Sequence, residues 1–485
     1  MIRIRGRAEG RSPLNHEFDN QDSRICSNER HSELSATSAI ARFGNGNSKV
    51  SSMVFATIEF YTAIGQASIQ LPEQTAQIIN SLQIGSLRLH AGESSRVLQA
   101  RRTIRRSKVS QAWNSGAPAS FLRRLLMLAR LHTHSISPSI PSSSVLVRTL
   151  AASINPADIN TVQGTYGSKQ PMSSLIGTSE PSAVPGNEGV FEVVSTGGSS
   201  SSLKKGDWVI PAAQQIGTWR THAVFGANDV LKVEKDSLTP TQVATVSINP
   251  CTAYRILREY GPSAGLKTGL PMRPLELGSG EWFAQNGANS GVGRAAIQFG
   301  KLWGLRSINV IRDRDSMEET EALRQELIGL GADVVVPESQ FLSREWKDQL
   351  AEMTRGGREQ VGLGLNCVGG KSATALARSL GEGASLVSYG GMSKQPVALP
   401  LGLLIFKDIR FVGFWLSKWN QKDPVGRKHM VDDILNLMRL GHFKDVPVDE
   451  IEWNWDTEEA ALKEAVQGTL GGFRKGKGVF LFGET

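Results

Sequence analysis

Across the second half of the chain, short apolar runs alternate with longer stretches in which apolar residues return at helical spacing. The clearest case is Glu281-Trp-Phe-Ala-Gln-Asn-Gly-Ala-Asn-Ser-Gly-Val-Gly293. Trp282, Phe283 and Ala284 lead into a loop holding Gly287, Gly291 and Gly293, after which Val292, Ala296, Ile297 and Phe299 recur with the period of a helix. That order reads as strand, glycine turn, helix. Small residues at such a turn let the backbone approach a pyrophosphate, which the free amides and positive dipole end of the new helix would hold. The turn alone carries little weight, because tight turns use the same residues. Its surroundings add to it: Ile308 to Arg312 reads as a second strand, Met317 to Leu330 as a helix stopped by Gly331, and Asp333–Pro337, Val361–Gly369 and Ala384–Tyr389 as further strands. Strands alternating with helices predict a parallel, doubly wound α/β sheet with Gly287 at the end of its first strand.

Upstream the pattern is different. Val145–Ser153, Pro185–Val194 and Leu203–Ile210 read as strands separated by Gly- and Pro-rich turns, which suggests a compact, β-rich, barrel-like domain. The change comes at Thr239, a plausible helix cap followed by Pro240. Organised sequence begins near Leu131, and residues 1 to 130 are assigned no fold.

Composition adds two constraints. Of 485 residues, 40% are hydrophobic and 21% charged, ordinary for a soluble enzyme, and no apolar run is long enough to predict a membrane span. Cys26, Cys251 and Cys367 lie far apart, against both a disulfide framework and a clustered zinc site. The net charge of +8 is uneven: residues 1 to 150 hold 19 Lys+Arg and 9 Asp+Glu, the remainder 35 and 37. A nearly neutral body gives no reason to expect nucleic acid. Ser94 to Ala157 contains no acid and includes Arg101-Arg-Thr-Ile-Arg-Arg106 and the helical-looking Phe121–Arg130. Arginine-rich, acid-poor, amphipathic sequence has the character of a mitochondrial transit peptide. Its position, roughly a hundred residues in, leaves three readings open, a long presequence, a disordered extension or a start site set too far upstream, beside the plainer one of a solvated basic tail without an address.

The residues after the second strand bear on cofactor choice. An NAD-type site places an acid about 20 residues past the glycine turn to bond the ribose. Here Arg312 and Arg314 flank Asp313. Arginine matches a phosphate dianion, so the pair favours NADPH; the alternative is a solvated surface loop.

Ala152-Ser-Ile-Asn-Pro-Ala-Asp158, Pro185-Gly-Asn-Glu188, Gly206-Asp-Trp208, Asn249-Pro-Cys-Thr-Ala-Tyr254 and the glycine turn together resemble the medium-chain dehydrogenase/reductase superfamily. Within it, Gly164-Thr-Tyr-Gly167, Gly217-Thr-Trp-Arg-Thr221, Val310–Arg314, Tyr389-Gly-Gly-Met-Ser393 and Gly413-Phe-Trp-Leu-Ser417 are similar to mitochondrial trans-2-enoyl-CoA reductases. The resemblance covers nearly three quarters of the chain, from about Leu131 onward. It implies a GroES-like catalytic domain from 131–248 and 441–485, and an NADPH-binding domain from 249–440. It implies reduction of enoyl-CoA or enoyl-acyl carrier protein in mitochondrial fatty-acid synthesis, a matrix location and a homodimer.

In that family's zinc enzymes a Cys and a His hold the metal. The corresponding positions resemble Asn155 and Asn187, poor zinc ligands, so a metal-free reductase is expected. The resemblance points to Tyr166 as proton donor and Trp415 as a second catalytic residue. It assigns cofactor contacts to Asn286, Gly287, Asn289, Ser290, Gly291, Val292, Gly293, Arg312, Arg314, Tyr389, Gly390, Gly391, Met392, Phe414 and Lys475. Asn160 is a candidate for orienting Tyr166. Two departures stand out: no opening strand is recognised before Leu131, and Gly261–Gly278 is longer than the usual link between domains. A zinc-free quinone reductase and a non-catalytic binding protein on the same scaffold remain as alternatives.

Overall fold

The computed structural model describes residues 94–100, 129–137, 139–198, 202–212, 215–261, 274–470, 476–483 and 485. In chain order the elements are β1 (Ser94–Ala100), β2 (Ala129–Ser135), β3 (Ser144–Ser153), α1 (Pro156–Val162), β4 (Gly189–Thr196), β5 (Trp208–Pro211), β6 (His222–Gly226) and β7 (Val230–Val233). Two helices follow, α2 (Pro240–Val243) and α3 (Asn249–Glu259). The alternating region is β8 (Trp282–Asn286), α4 (Gly291–Leu302), β9 (Arg306–Ile311), α5 (Met317–Leu330), β10 (Val334–Pro337), α6 (Glu338–Phe341), α7 (Trp346–Met353), β11 (Val361–Asn366), α8 (Gly370–Ser379), β12 (Ser385–Ser388), α9 (Leu401–Lys407) and β13 (Arg410–Gly413). The chain ends with α10 (Leu416–Lys422), α11 (Pro424–Arg439), β14 (Val448–Trp453), α12 (Glu459–Leu470) and β15 (Lys477–Phe482).

The six parallel strands of the second region run in the order β10-β9-β8-β11-β12-β13, as the doubly wound reading requires. Every residue of β8 and β11 is buried, because helices cover both faces of a parallel sheet. The chain reverses its direction of growth between β8 and β11. In doubly wound sheets such a reversal is where a ligand binds, at the strands' carboxyl ends, which here are at Gly287 and Cys367. Helix α5 occupies the range the periodicity predicts: the Ser316 hydroxyl accepts from Glu319 N–H at its start, and Gly331 ends it at φ +113°.

The β-rich region is a seven-stranded sheet in the order β14-β15-β3-β4-β5-β7, with β6 added to β3. It does not close, so the barrel-like expectation is met by an open sheet. The last strand in sequence, β15, lies antiparallel to β3, with Phe480 opposite Ala152. One core runs from Leu150, Val190 and Val479 in this sheet to Ile256, Phe299 and Ile434 on helices of the nucleotide region.

At the N-terminal edge the structure corrects the sequence reading. An opening strand does exist: β1 pairs antiparallel with β2 along its full length. The strand is seven residues long, and Arg96 and Gln99 break its apolar alternation, which hides it from a periodicity search. Ala129 and Arg130 lie in β2, not in a helix, while the rest of Phe121–Arg130 and most of residues 1 to 130 fall outside the described residues. So does the centre of the Gly261–Gly278 link.

Candidate active site

The glycine turn is held from three sides. Gly287 has φ +63°, and a β-carbon there would stand 2.6 Å from Cys367 Sγ. Ala288 N–H donates to Val310 O at 3.0 Å, fastening the turn to β9. The Ser290 hydroxyl accepts from Gly293 N–H at 3.2 Å and caps α4. At Gly293 a β-carbon would lie 2.4 Å from the Ala288 carbonyl oxygen, so only glycine lets the helix start this close to the turn. Asn289 accepts from Arg294 Nε through its carbonyl, and Val292 packs into the core. The Asn286 side chain bridges to β11, donating to Asn366 Oδ1 at 2.9 Å and accepting from Cys367 N–H at 2.9 Å. Gly291 sits against Asn249, whose amide nitrogen would be 2.7 Å from an added β-carbon.

Arg312 and Arg314 follow the end of β9, beside this turn, with Arg312 exposed. Between them the Asp313 carboxylate accepts the Ser339 N–H at 3.0 Å and the Ser339 hydroxyl. The Asp313 carboxylate is thus turned toward α6. Across the crevice, Tyr389 N–H donates to Asn366 O and Met392 N–H to Cys367 O at 2.8 Å, which holds the exposed Gly390, Gly391 and Met392 beside the turn. Burial pushes the Cys367 thiol and the Tyr389 phenol up from their ordinary values. Phe414 is buried edge-to-face on Tyr260, a core contact. Lys475 lies outside the described residues.

Tyr166 and Trp415 stand 249 residues apart in sequence and meet in the structure. Trp415 Nε1 donates to the Tyr166 hydroxyl oxygen at 3.3 Å, and the rings cross at 81°. Indole is a donor only, so Tyr166 accepts, and its own proton remains to be directed elsewhere. Trp415 is 44% exposed and lies two residues past the carboxyl end of β13. The Tyr166 turn is ordered by Asn160, whose backbone carbonyl accepts from the N–H groups of Thr165 at 2.8 Å and Tyr166 at 3.1 Å. Asn160 makes these two contacts through its backbone carbonyl.

Next to this lies a buried polar cluster. Asn155 Nδ2 donates to Ser153 Oγ and to Glu188 Oε2 at 2.9 Å, and its Oδ1 accepts from Lys477 Nζ at 2.6 Å. Lys477 also approaches Glu188 at 3.3 Å, and Ile248 N–H donates to the other Glu188 oxygen at 2.8 Å. Asn187 Nδ2 donates to Asp158 Oδ1 at 2.7 Å. Burial first, and the Glu188 carboxylate second in the same direction, push the Asp158 carboxyl up to about 6, against the bonds from Asn155 and Asn187. A zinc ion does not fit these donors: two amides offer no thiolate or imidazole, and the Lys477 ammonium already places a positive charge between Asn155 and Glu188. Lys477 and Asn249, whose amide donates to Asn155 Oδ1 at 3.4 Å, belong to this cluster, and motif reading does not single them out. Asn249 stood within a quoted motif, and Lys477 is two positions from the lysine named.

Comparison with known proteins agrees with this construction. Residues 141–235 match the alcohol dehydrogenase GroES-like domain and residues 291–436 the family described as zinc-binding dehydrogenase, which defines the class as a two-domain, medium-chain dehydrogenase/reductase. The mitochondrial enoyl-[acyl-carrier-protein] reductase of Yarrowia lipolytica is 41% identical over 336 residues, 69% of this chain and 83% of the relative. The solved complex of Etr1p with NADP and crotonyl-CoA is similar at a TM-score of 0.69 and 33% identity, covering 80% of this chain and 100% of that one. The mitochondrial 2-enoyl thioester reductase Etr1p/Etr2p heterodimer from Candida tropicalis gives 0.68 and 33% over the same shares. The chain belongs to the enoyl-[acyl-carrier-protein] reductase family, as its motifs imply.

Proposed function

We propose that this chain reduces trans-2-enoyl thioesters of CoA or acyl carrier protein to acyl thioesters with NADPH, without a metal. The observation that carries the reading is the Trp415–Tyr166 hydrogen bond, made just past the carboxyl end of β13. NADPH supplies a hydride to the β-carbon of the substrate. Negative charge then develops on the thioester oxygen, and the reaction needs a positioned proton source. Tyr166 is that source in our reading: its oxygen is occupied by the indole N–H, so the phenolic proton points to the substrate. Trp415 fixes the phenol and lines the acyl slot. The glycine turn and α4 amides hold the pyrophosphate, and Arg312 and Arg314 hold the 2′-phosphate.

Residues 131–248 with 441–485 form the catalytic domain and 249–440 the nucleotide domain. The protein works in the mitochondrial matrix as a homodimer. Support for the dimer comes from β13, last in the strand order, and from α9, which exposes Leu401, Ile405 and Phe406 beside it, Phe406 at 79%. Tyr166→Phe tests the mechanism. We expect kcat with trans-2-hexenoyl-CoA to fall by about a hundredfold or more, with NADPH affinity unchanged. An undiminished kcat removes Tyr166 from the chemistry.

A further inference from the structure

Three hydrogen bonds of one residue, Gln215, help fasten the segment that carries Tyr166 to the neighbouring strand connections. Its side chain donates to the Ser168 hydroxyl at 2.6 Å, two positions past Tyr166. Its backbone carbonyl accepts from Gln170 Nε2 at 3.0 Å. Its backbone N–H donates to Asn187 Oδ1 at 3.0 Å. Asn187 is in turn held by Asp158, which also takes the Asn155 N–H at 2.8 Å at the start of α1. These bonds close a ring. Helix α1 leads by the chain itself into the Tyr166 turn, and from α1 the hydrogen bonds return through Asp158, Asn187 and Gln215 to that same turn.

Gln215 does this at φ +64°, a left-handed conformation that residues bearing a β-carbon rarely adopt. Glycine would hold that backbone more easily. What glycine lacks is the carboxamide that reaches Ser168. A strained residue kept where its side chain makes one specific bond points to a use for that bond.

We propose that Gln215 is a positioning residue for Tyr166, setting where the phenol stands against Trp415 and the substrate. The proposal rests on Tyr166 being the proton donor. A merely structural residue would alter stability or act equally in any background. A residue that works through the Tyr166 hydroxyl acts only while that hydroxyl is present.

The test is a double-mutant cycle in NADPH-dependent reduction of trans-2-hexenoyl-CoA by the full chain. Gln215→Gly keeps the backbone conformation and removes the clasp. It should lower kcat by about tenfold, with KM for NADPH unchanged and no loss of thermal stability. In the Tyr166→Phe background the same substitution should change kcat by less than about twofold. Ser168→Ala removes the other end of the clasp without touching Gln215 and should reproduce the tenfold loss. Full activity of both variants, or equal losses with and without the Tyr166 hydroxyl, overturns the assignment of Gln215 while leaving Tyr166 in place. Wild-type turnover by Tyr166→Phe overturns the Tyr166 reading, and this proposal with it.

Discussion

Gly293→Ala is the most demanding test of the cofactor turn. The new methyl would lie 2.4 Å from the Ala288 carbonyl oxygen, 2.6 Å from its carbon and 2.7 Å from Ala288 Cα. All three are backbone atoms, so no side chain can rotate away. Ordinary contact begins near 3.4 Å, so about 1 Å must be found by moving α4 off the turn or the turn off β9. Either movement strains the Gly293–Ser290 cap or the Ala288–Val310 bond. Overpacking costs about 1–3 kcal/mol and a lost hydrogen bond about 1 kcal/mol, so the fold should lose roughly 2–4 kcal/mol. Amides displaced by this much no longer converge on a pyrophosphate, and NADPH should bind at least about tenfold more weakly, a change of about 1.4 kcal/mol. The assay is NADPH titration by fluorescence, with thermal unfolding of the same samples. Gly329→Ala, where an added methyl meets nothing within 4 Å inside α5, is the control and should bind normally. If Gly293→Ala melts with the wild type and binds NADPH equally well, the argument from close approach is refuted.

Three further outcomes are expected. Arg312→Ala with Arg314→Ala should weaken NADPH by roughly tenfold to a hundredfold while leaving NADH nearly unchanged, since only the former carries the phosphate; equal weakening of both cofactors in steady-state KM values would show that the arginines do not read it. Because burial raises the Asp158 carboxyl from 3.8 to about 6, its contribution favours folding fully below about pH 4 and is lost as pH rises through about 6. Across that window the wild type should lose about 3 kcal/mol of unfolding free energy relative to Asp158→Asn, and parallel urea-denaturation profiles would contradict it. If the protein pairs through α9 as proposed, Phe406→Asp should shift it toward monomer in sedimentation velocity without unfolding it, and an unchanged association state would count against that pairing.

The nucleotide sheet is legible in the sequence because parallel strands buried on both faces open on apolar runs, as in Trp282–Ala284 and Val361–Leu365, and because Ser316 and Gly331 mark both ends of α5. Strand β1 is not, since Ser94–Ala100 has no alternation and its partner lies beyond residues 101–128. The same limit governs the site. Glycine spacing and the arginines after β9 carry local information, and they mark the cofactor side. The meeting of Tyr166 with Trp415 is a product of tertiary folding, reached beforehand only through family motifs. Nothing in the residue types around Gln215 announces a left-handed glutamine, and a cluster in which Lys477 joins Asn155 and Glu188 across more than half the chain has no spacing to detect.

Reduction of an unsaturated thioester is tested most directly by NADPH oxidation by the purified protein, followed at saturating cofactor with trans-2-hexenoyl-CoA and, separately, with a simple quinone. We expect rapid turnover of the enoyl thioester, abolished almost entirely in Tyr166→Phe, and little with the quinone. Turnover of the quinone alone, indifferent to Tyr166, would contradict it.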